Sequence, residues 1–216
     1  FIRSFFACLY GGYIAVPTFP PRLNESTDHL VNLINDAEPS LVITTQQYKK
    51  QLASFIDTNT TAFSGEWLAV DTLDIPVWRC FWNTSSIQET DIAFLQYTSG
   101  STNFPKGVMV THKNIMVNER MIQSATKHEK SSLVVVGWLP FFHDLGLIGN
   151  VLQPLFVGAP CVFLSAKDVV RNPFLWLQMI HRYRATTSGG PNFMYDLCVE
   201  RISDEEKLSL DLSSWD

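Results

Sequence analysis

At 216 residues, with 46% hydrophobic and 17% charged side chains, the chain is long and apolar enough to bury a substantial core, which excludes an intrinsically disordered segment. A net charge of −5 without a basic stripe interleaved with aromatics argues against an extended nucleic-acid surface and leaves a small nucleotide as the ligand of that kind to consider. The four cysteines, Cys8, Cys80, Cys161 and Cys198, stand far apart with no CxxC pair and no histidine at metal-ligand spacing. They predict no metal site within the chain, and they read as thiols of a reducing compartment, so a cytoplasmic location is the expectation.

The chain opens on Phe1, and FIRSFFACLYGGYIAVP already reads as core, while LDLSSWD closes it, as expected of a piece cut at both ends. Periodicity then predicts a helix over His29 to Ala37, a strand at Leu41 to Thr45, a helix over Gln47 to Phe55 and a strand near Trp67 to Val70. Ile92 to Tyr97 reads as a buried strand and Val108 to Val110 as a second, with Thr111 placed to cap a helix carrying Ile115, Ile122 and Ala125 on one face. Leu133 to Trp138 follows as strand, a helix from Leu145, Cys161 to Leu164 as strand, and a helix opened by Asn172 as cap and Pro173 at its first position, running through His181. Thr186 to Ser188 is a short strand and Asn192 starts a helix to Ile202. Residues 145 to 164 run twenty positions without a charge, but Asn150, Gln153, Pro154, Gly158 and Pro160 break the run into core elements, so no integral membrane span is expected. Strands alternating with helices predict an α/β fold, a mainly parallel sheet with helices on both faces, and such sheets bind ligands at the carboxyl ends of their strands. Three segments are expected at such ends, facing one crevice: the loop after Tyr97, LPFFHDLG after Trp138, and SGGPNF after Thr187.

The first of these, TSGSTNFPKG at 98 to 107, combines hydroxyls and glycines with one lysine. Glycines let backbone N–H groups converge, hydroxyls add donors, and the lysine supplies charge, so the chemistry suits a triphosphate; the same residue types also build ordinary surface turns. It is not a P-loop, because Gly107 rather than Ser or Thr follows Lys106, and no GxGxxG is present. His143 reads either as a donor to a phosphoryl or carboxylate oxygen or as a satisfied loop histidine. Adjacent residues of an extended chain point opposite ways, so no His143–Asp144 pair is expected. Ser188-Gly189-Gly190-Pro191-Asn192 offers close backbone approach followed by a helix N-terminus, and turn geometry accounts for it equally well.

Taken together, TSGSTNFPKGV, GYIAVPTFPP, DIAFLQYTSGST, WLPFFHDLGLIGNVLQPLFVGAP, RYRATTSGGPNFMYDLC and LDLSSW resemble the adenylate-forming superfamily, and among its members the fatty acyl-AMP ligases and the loading domains of polyketide and peptide synthases. The resemblance covers the chain from about residue 5 to the end. It implies the N-terminal part of the large AMP-binding domain, with the remainder of that domain and a small mobile C-terminal domain lying outside the 216 residues. It implies ATP and Mg2+ as cofactors, with metal ligands largely outside this stretch, and activation of a fatty acid to an acyl adenylate plus pyrophosphate. Acyl carrier protein or coenzyme A is the implied acceptor. Thr98, Ser99, Gly100, Ser101, Thr102 and Lys106 are then expected on the phosphates with Gly107 supporting the turn, Lys106 and His143 as catalytic groups, and His143, Gly189, Gly190, Pro191 and Asn192 along the acyl substrate. The family loop usually has Gly where this chain has Asn103, which tolerates positive φ, so the turn is expected to survive. The rival readings are a long-chain acyl-CoA synthetase and, from another class, a degenerate non-catalytic module that binds a lipid or a partner protein.

Overall fold

The structure, a computed structural model, describes residues 1–19, 28–59, 63, 65–74, 87–98, 106–129 and 131–216. They form two compact units, Phe1–Lys113 and Asn114–Asp216.

In the first unit, helix α1 (Ile2–Tyr10) carries Ile2, Phe5, Phe6 and Leu9 at helical spacing, and buries Phe5 and Leu9. Phe5 meets Phe94 edge-on at 5.7 Å. Burying one such side chain stabilises the fold by about 1.5–3 kcal/mol, which explains why the opening stretch reads as core. Helix α2 (Asp28–Ala37) buries Leu33 and Ile34. Strands β1 (Leu41–Thr44) and β2 (Glu66–Ala69) pair in parallel through the crossover helix α3 (Gln46–Asn59), and Lys49 Nζ donates to Trp67 O at 3.0 Å. Strands β3 (Ile92–Thr98) and β4 (Lys106–Thr111) form an antiparallel hairpin, and Ala15 bridges in parallel to Phe94 on the other side of β3. Cys80 lies outside the described residues.

Helix α4 (His112–Thr126) follows Thr111 directly. Its inward face differs from the expected one: Ala125 is exposed, Ile115 and Ile122 are half-buried, and the one buried side chain of the helix is Glu119. The second unit is built on a three-stranded parallel sheet in the order β6 (Cys161–Phe163), β5 (Val135–Gly137), β7 (Thr187–Ser188). Alternation along β5 sends side chains to opposite faces. Val135 packs with Leu133 and Val157, whereas Val136 and Trp138 pack with Val169, Trp176, Ile180, Met194 and Cys198. Helix α5 (Gln153–Val157) therefore covers one face, and α6 (Ala166–Arg171), α7 (Pro173–Tyr183) and α8 (Asn192–Arg201) cover the other, as an α/β fold requires.

The charge-free run 145 to 164 forms a π-helical segment Gly146–Leu152 that passes directly into α5, then a turn and β6; Asn150, Gln153 and Pro154, expected to break it, lie within the helical stretch, which ends at Gly158 in the left-handed region. Among the described residues no helix is long and apolar enough to cross a membrane. Pro173 opens α7 at its first turn, but Asn172 makes no side-chain cap bond; its contribution is the extended backbone that proline imposes on the residue before it. Besides α1, which the sequence reads only as core, two further helices were not foreseen. Ser165 caps α6 by accepting from the Asp168 N–H, and Ser203 with Glu206 forms a reciprocal capping box on α9 (Asp204–Leu208).

Candidate functional site

The hairpin β3–β4 presents the lysine. Thr98 stands opposite Lys106 and Tyr97 opposite Gly107, so the loop does join two strands, and Lys106 begins a strand rather than a helix. Ser99, Gly100, Ser101 and Thr102 lie outside the described residues, as do Asn103, Phe104 and Pro105. Lys106 is exposed, with its Cα fixed by the strand ladder. The strand beneath it is anchored: Tyr97 donates its hydroxyl to Asp36 Oδ2 at 2.6 Å, which ties β3 to α2. Burial, and then the hydrogen bond and charge of Asp36, push the Tyr97 phenol well up, so it remains a donor. Gly107 leaves room for the Tyr97 ring, since a Cβ there would sit 3.0 Å from the ring Cζ.

In the second unit the LPFFHDLG and SGGPNF turns leave the carboxyl ends of adjacent parallel strands, β5 and β7. The third predicted segment is different in kind: the 98 to 107 loop closes an antiparallel hairpin in the first unit. Ser188 is the anchor of the second turn. It donates Oγ–H to Val136 O at 2.5 Å and accepts from Trp176 Nε1 at 2.7 Å, while its carbonyl accepts from Trp215 Nε1 at 3.1 Å. The closing LDLSSW segment is thereby drawn onto β7, helped by Arg184, which pairs with Asp211 at 2.5 Å. Arg184 and the Ser213 hydrogen bonds hold the Asp211 carboxyl down, to about 2, the Ser213 bonds being the larger cause.

The two glycines of the turn have separate roles. A Cβ on Gly190 would lie 2.3 Å from Trp138 Cζ2, so the group that approaches this backbone closely is the buried indole of Trp138. Gly189 faces open space, with Tyr195 Oη the nearest atom at 3.9 Å. Pro191 is exposed and occupies the N-cap position of α8, and exposed Asn192 is its first residue. Trp138 Nε1 and Asn150 Nδ2 are buried donors without a hydrogen-bond partner among the described residues. Nothing in the sequence distinguished them from ordinary core.

His143 and Asp144 do form a pair, contrary to expectation: Nδ1 lies 2.5 Å from Asp144 Oδ1, with both side chains exposed. The period-2 argument does not apply because the chain here is a turn, with His143 N–H on Pro140 O, and Leu145 N–H on Asp144 Oδ1 at 2.7 Å. When the ring donates Nδ1–H to the carboxylate, Nε2 of the neutral imidazole is an acceptor, and it donates only once the ring is imidazolium.

Comparison with known proteins adds what geometry alone does not. The chain is 33% identical over 256 residues to the medium-chain fatty acid–acyl carrier protein ligase TtuA of Teredinibacter turnerae, covering 100% of this chain and 39% of that protein. It is 38% identical over 219 residues to the corresponding ligase JamA of Moorena producens, covering 100% of this chain and 37% of that one. The solved fatty acyl-adenylate ligase of L. pneumophila, in complex with acyl adenylate and pyrophosphate, superposes with a TM-score of 0.87 at 39% identity, over 99% of this chain and 36% of its own. The chain thus spans well under half the length of the relatives it matches. The family model of AMP-binding enzymes matches residues 1–215, and the chain belongs to that family of adenylate-forming proteins.

Proposed function

We infer that this chain is the N-terminal part of the large AMP-binding domain of a fatty acyl-AMP ligase. The enzyme joins a fatty acid to the AMP moiety of ATP, releases pyrophosphate, and passes the acyl group to an acyl carrier protein. The observation that carries this reading is the likeness, along 99% of the chain and at 39% identity, to a fatty acyl-adenylate ligase solved with acyl adenylate and pyrophosphate. The two carrier-protein ligases favour the carrier as acceptor over coenzyme A.

In this reaction a carboxylate oxygen attacks the α-phosphorus, a new O–P bond forms, and the bond to the pyrophosphate oxygen breaks. A carboxylic acid is ionised at neutral pH, so the step needs no general base. It needs alignment of two anions and a positive counterweight to charge that builds on the leaving pyrophosphate. Lys106, at the root of the loop, takes that role in this reading, with Thr98, Ser99, Gly100, Ser101 and Thr102 as donors and Gly107 supporting the turn beside Tyr97. His143, oriented by Asp144, serves the adenylate phosphate and the acyl entrance. Gly189, Pro191 and Asn192 border the acyl chain, and Gly190 does so through the Trp138 indole it seats. Among the described residues no group of three or more His, Cys, Asp or Glu side chains is placed to hold a metal ion.

The test is fatty-acid-dependent pyrophosphate exchange in the full-length enzyme. Lys106→Ala is expected to slow it by about 100-fold or more, the scale of losing one electrostatic donor from a reacting site. Exchange at the unaltered rate would remove Lys106 from the mechanism, and no exchange with any fatty acid in the unaltered enzyme would favour a non-catalytic module.

A further inference from the structure

Strand β7 is two residues long, so its ladder to β5 supplies little to hold the turn that follows. Its side chains supply the rest, one on each face of the sheet. Ser188 is held from the Trp176 side, as described. Thr187 points the other way, toward α4 and α5, and meets a polar cluster drawn from three further segments: half-buried His128 just after α4, and buried Glu119 of α4 and Gln153 of α5. Glu119 and Gln153 are each 1% exposed. Lys127, at φ 53, ends α4 in the left-handed region and turns the chain so that His128 enters this cluster, where Gln123 Nε2 donates to its carbonyl at 3.2 Å.

The distances fix a direction. Only one orientation of the Gln153 amide satisfies its neighbours, the one in which the NH2 donates to Glu119 O at 3.1 Å and to Glu119 Oε2 at 2.5 Å. The amide oxygen then faces His128 Nδ1 at 3.4 Å, so Nδ1 must carry the ring proton. Nε2, left with its lone pair, accepts from Thr187 Oγ1 at 3.2 Å. Thr187, His128, Gln153 and Glu119 thus form one chain in which each group donates to the next. Burial lowers the His128 pKa, in keeping with a neutral ring.

We propose that His128 is a positioning residue for the Ser188–Asn192 turn: by accepting from Thr187 and donating to Gln153, it pins β7 to α4 and α5 and sets where the turn lies against the acyl chain. The acyl part rests on the function inferred above; the hydrogen-bond chain does not. With Thr187 unpinned, β7 would be held from one face only, and the turn would lose its fixed position without any residue of the phosphate loop being touched.

Two measurements on the full-length enzyme decide the matter. Nitrogen-15 NMR of the His128 ring at pH 7 is expected to show a neutral imidazole protonated at Nδ1. A ring protonated at Nε2, or at both nitrogens, would overturn the chain. In kinetics, Thr187→Val removes the donated proton at constant shape, and is expected to raise KM for the fatty acid about fivefold, the scale of one hydrogen bond, with KM for ATP unmoved. Thr187→Ser is expected to restore the fatty-acid KM. Equal effects on both substrates, no effect, or failure of serine to rescue would remove the positioning role. Absence of fatty-acid turnover in the unaltered enzyme would sink the acyl assignment, while the NMR readout would still decide the hydrogen-bond chain.

Discussion

Glu119 is a carboxyl in a place where charge is costly: burial alone pushes its pKa up to about 7. The folded state then keeps the proton up to about pH 7, while the unfolded chain releases it near the ordinary value of 4.5. Between those values the folded state binds more protons, so stability falls as pH rises, by up to about 3 kcal/mol once both states are ionised. His128 has the opposite slope. Its lowered pKa means the unfolded chain binds the proton first, so its contribution is present above about 6.5 and is lost as pH falls. Glu119→Gln keeps an acceptor for the Gln153 amide and removes the ionisation. It is expected to raise Tm at pH 8 and to leave it nearly unchanged at pH 4.5, in thermal unfolding followed by circular dichroism. A Tm difference of the same size at both pH values would show that Glu119 is not titrating in the folded protein.

At the level of elements, what holds the site is a small number of side-chain bonds to short strands. Trp176 is fully buried, so Ser188→Ala leaves its Nε1–H with no acceptor, and also frees Val136 O. The expected loss is about 1–3 kcal/mol, read as a lower urea midpoint at constant m. A midpoint within experimental scatter of the unaltered protein would mean that the indole finds another acceptor. Much of this scale was legible beforehand. The continuous apolar run of β5, the Pro173 start of α7 and the two-strand frame around Lys106 all follow from local composition and turn chemistry, because those signals are local. The caps of α6 and α9 were equally present, as Ser165 three residues before Asp168 and Ser203 three before Glu206, and went unread. The π-helical segment has no sequence period of its own. The Glu119–Gln153–His128–Thr187 chain was hidden for another reason: its members lie up to 68 positions apart, and each alone resembles an ordinary surface residue.

For the whole molecule, the family was legible because its segments are spread along the chain, while the chemistry of each segment alone was ambiguous. Lys106 belongs to the first compact unit, and His143 and the 189 to 192 turn to the second. The described surface also carries large apolar side chains in the open, with Met109 67%, Val199 73% and Leu208 88% exposed. The reaction proposed here needs more than one grip on its anions: the phosphates must be held, the adenosine and metal placed, and the carboxylate aligned, and an error of about 1 Å costs on the order of 100-fold in rate. Among the described residues no group of three or more His, Cys, Asp or Glu side chains is placed to hold a metal ion, and of the proposed phosphate loop they include only Thr98, Lys106 and Gly107. We therefore expect these 216 residues, prepared alone, to release no pyrophosphate from ATP in the presence of medium- or long-chain fatty acids, where the full-length enzyme does so. A coupled pyrophosphate assay on both proteins, with Lys106→Ala of each as the blank, reads the difference. Lysine-dependent release by the short chain would show that adenylation is complete within it, and would move the missing adenosine and metal contacts into residues 1–216.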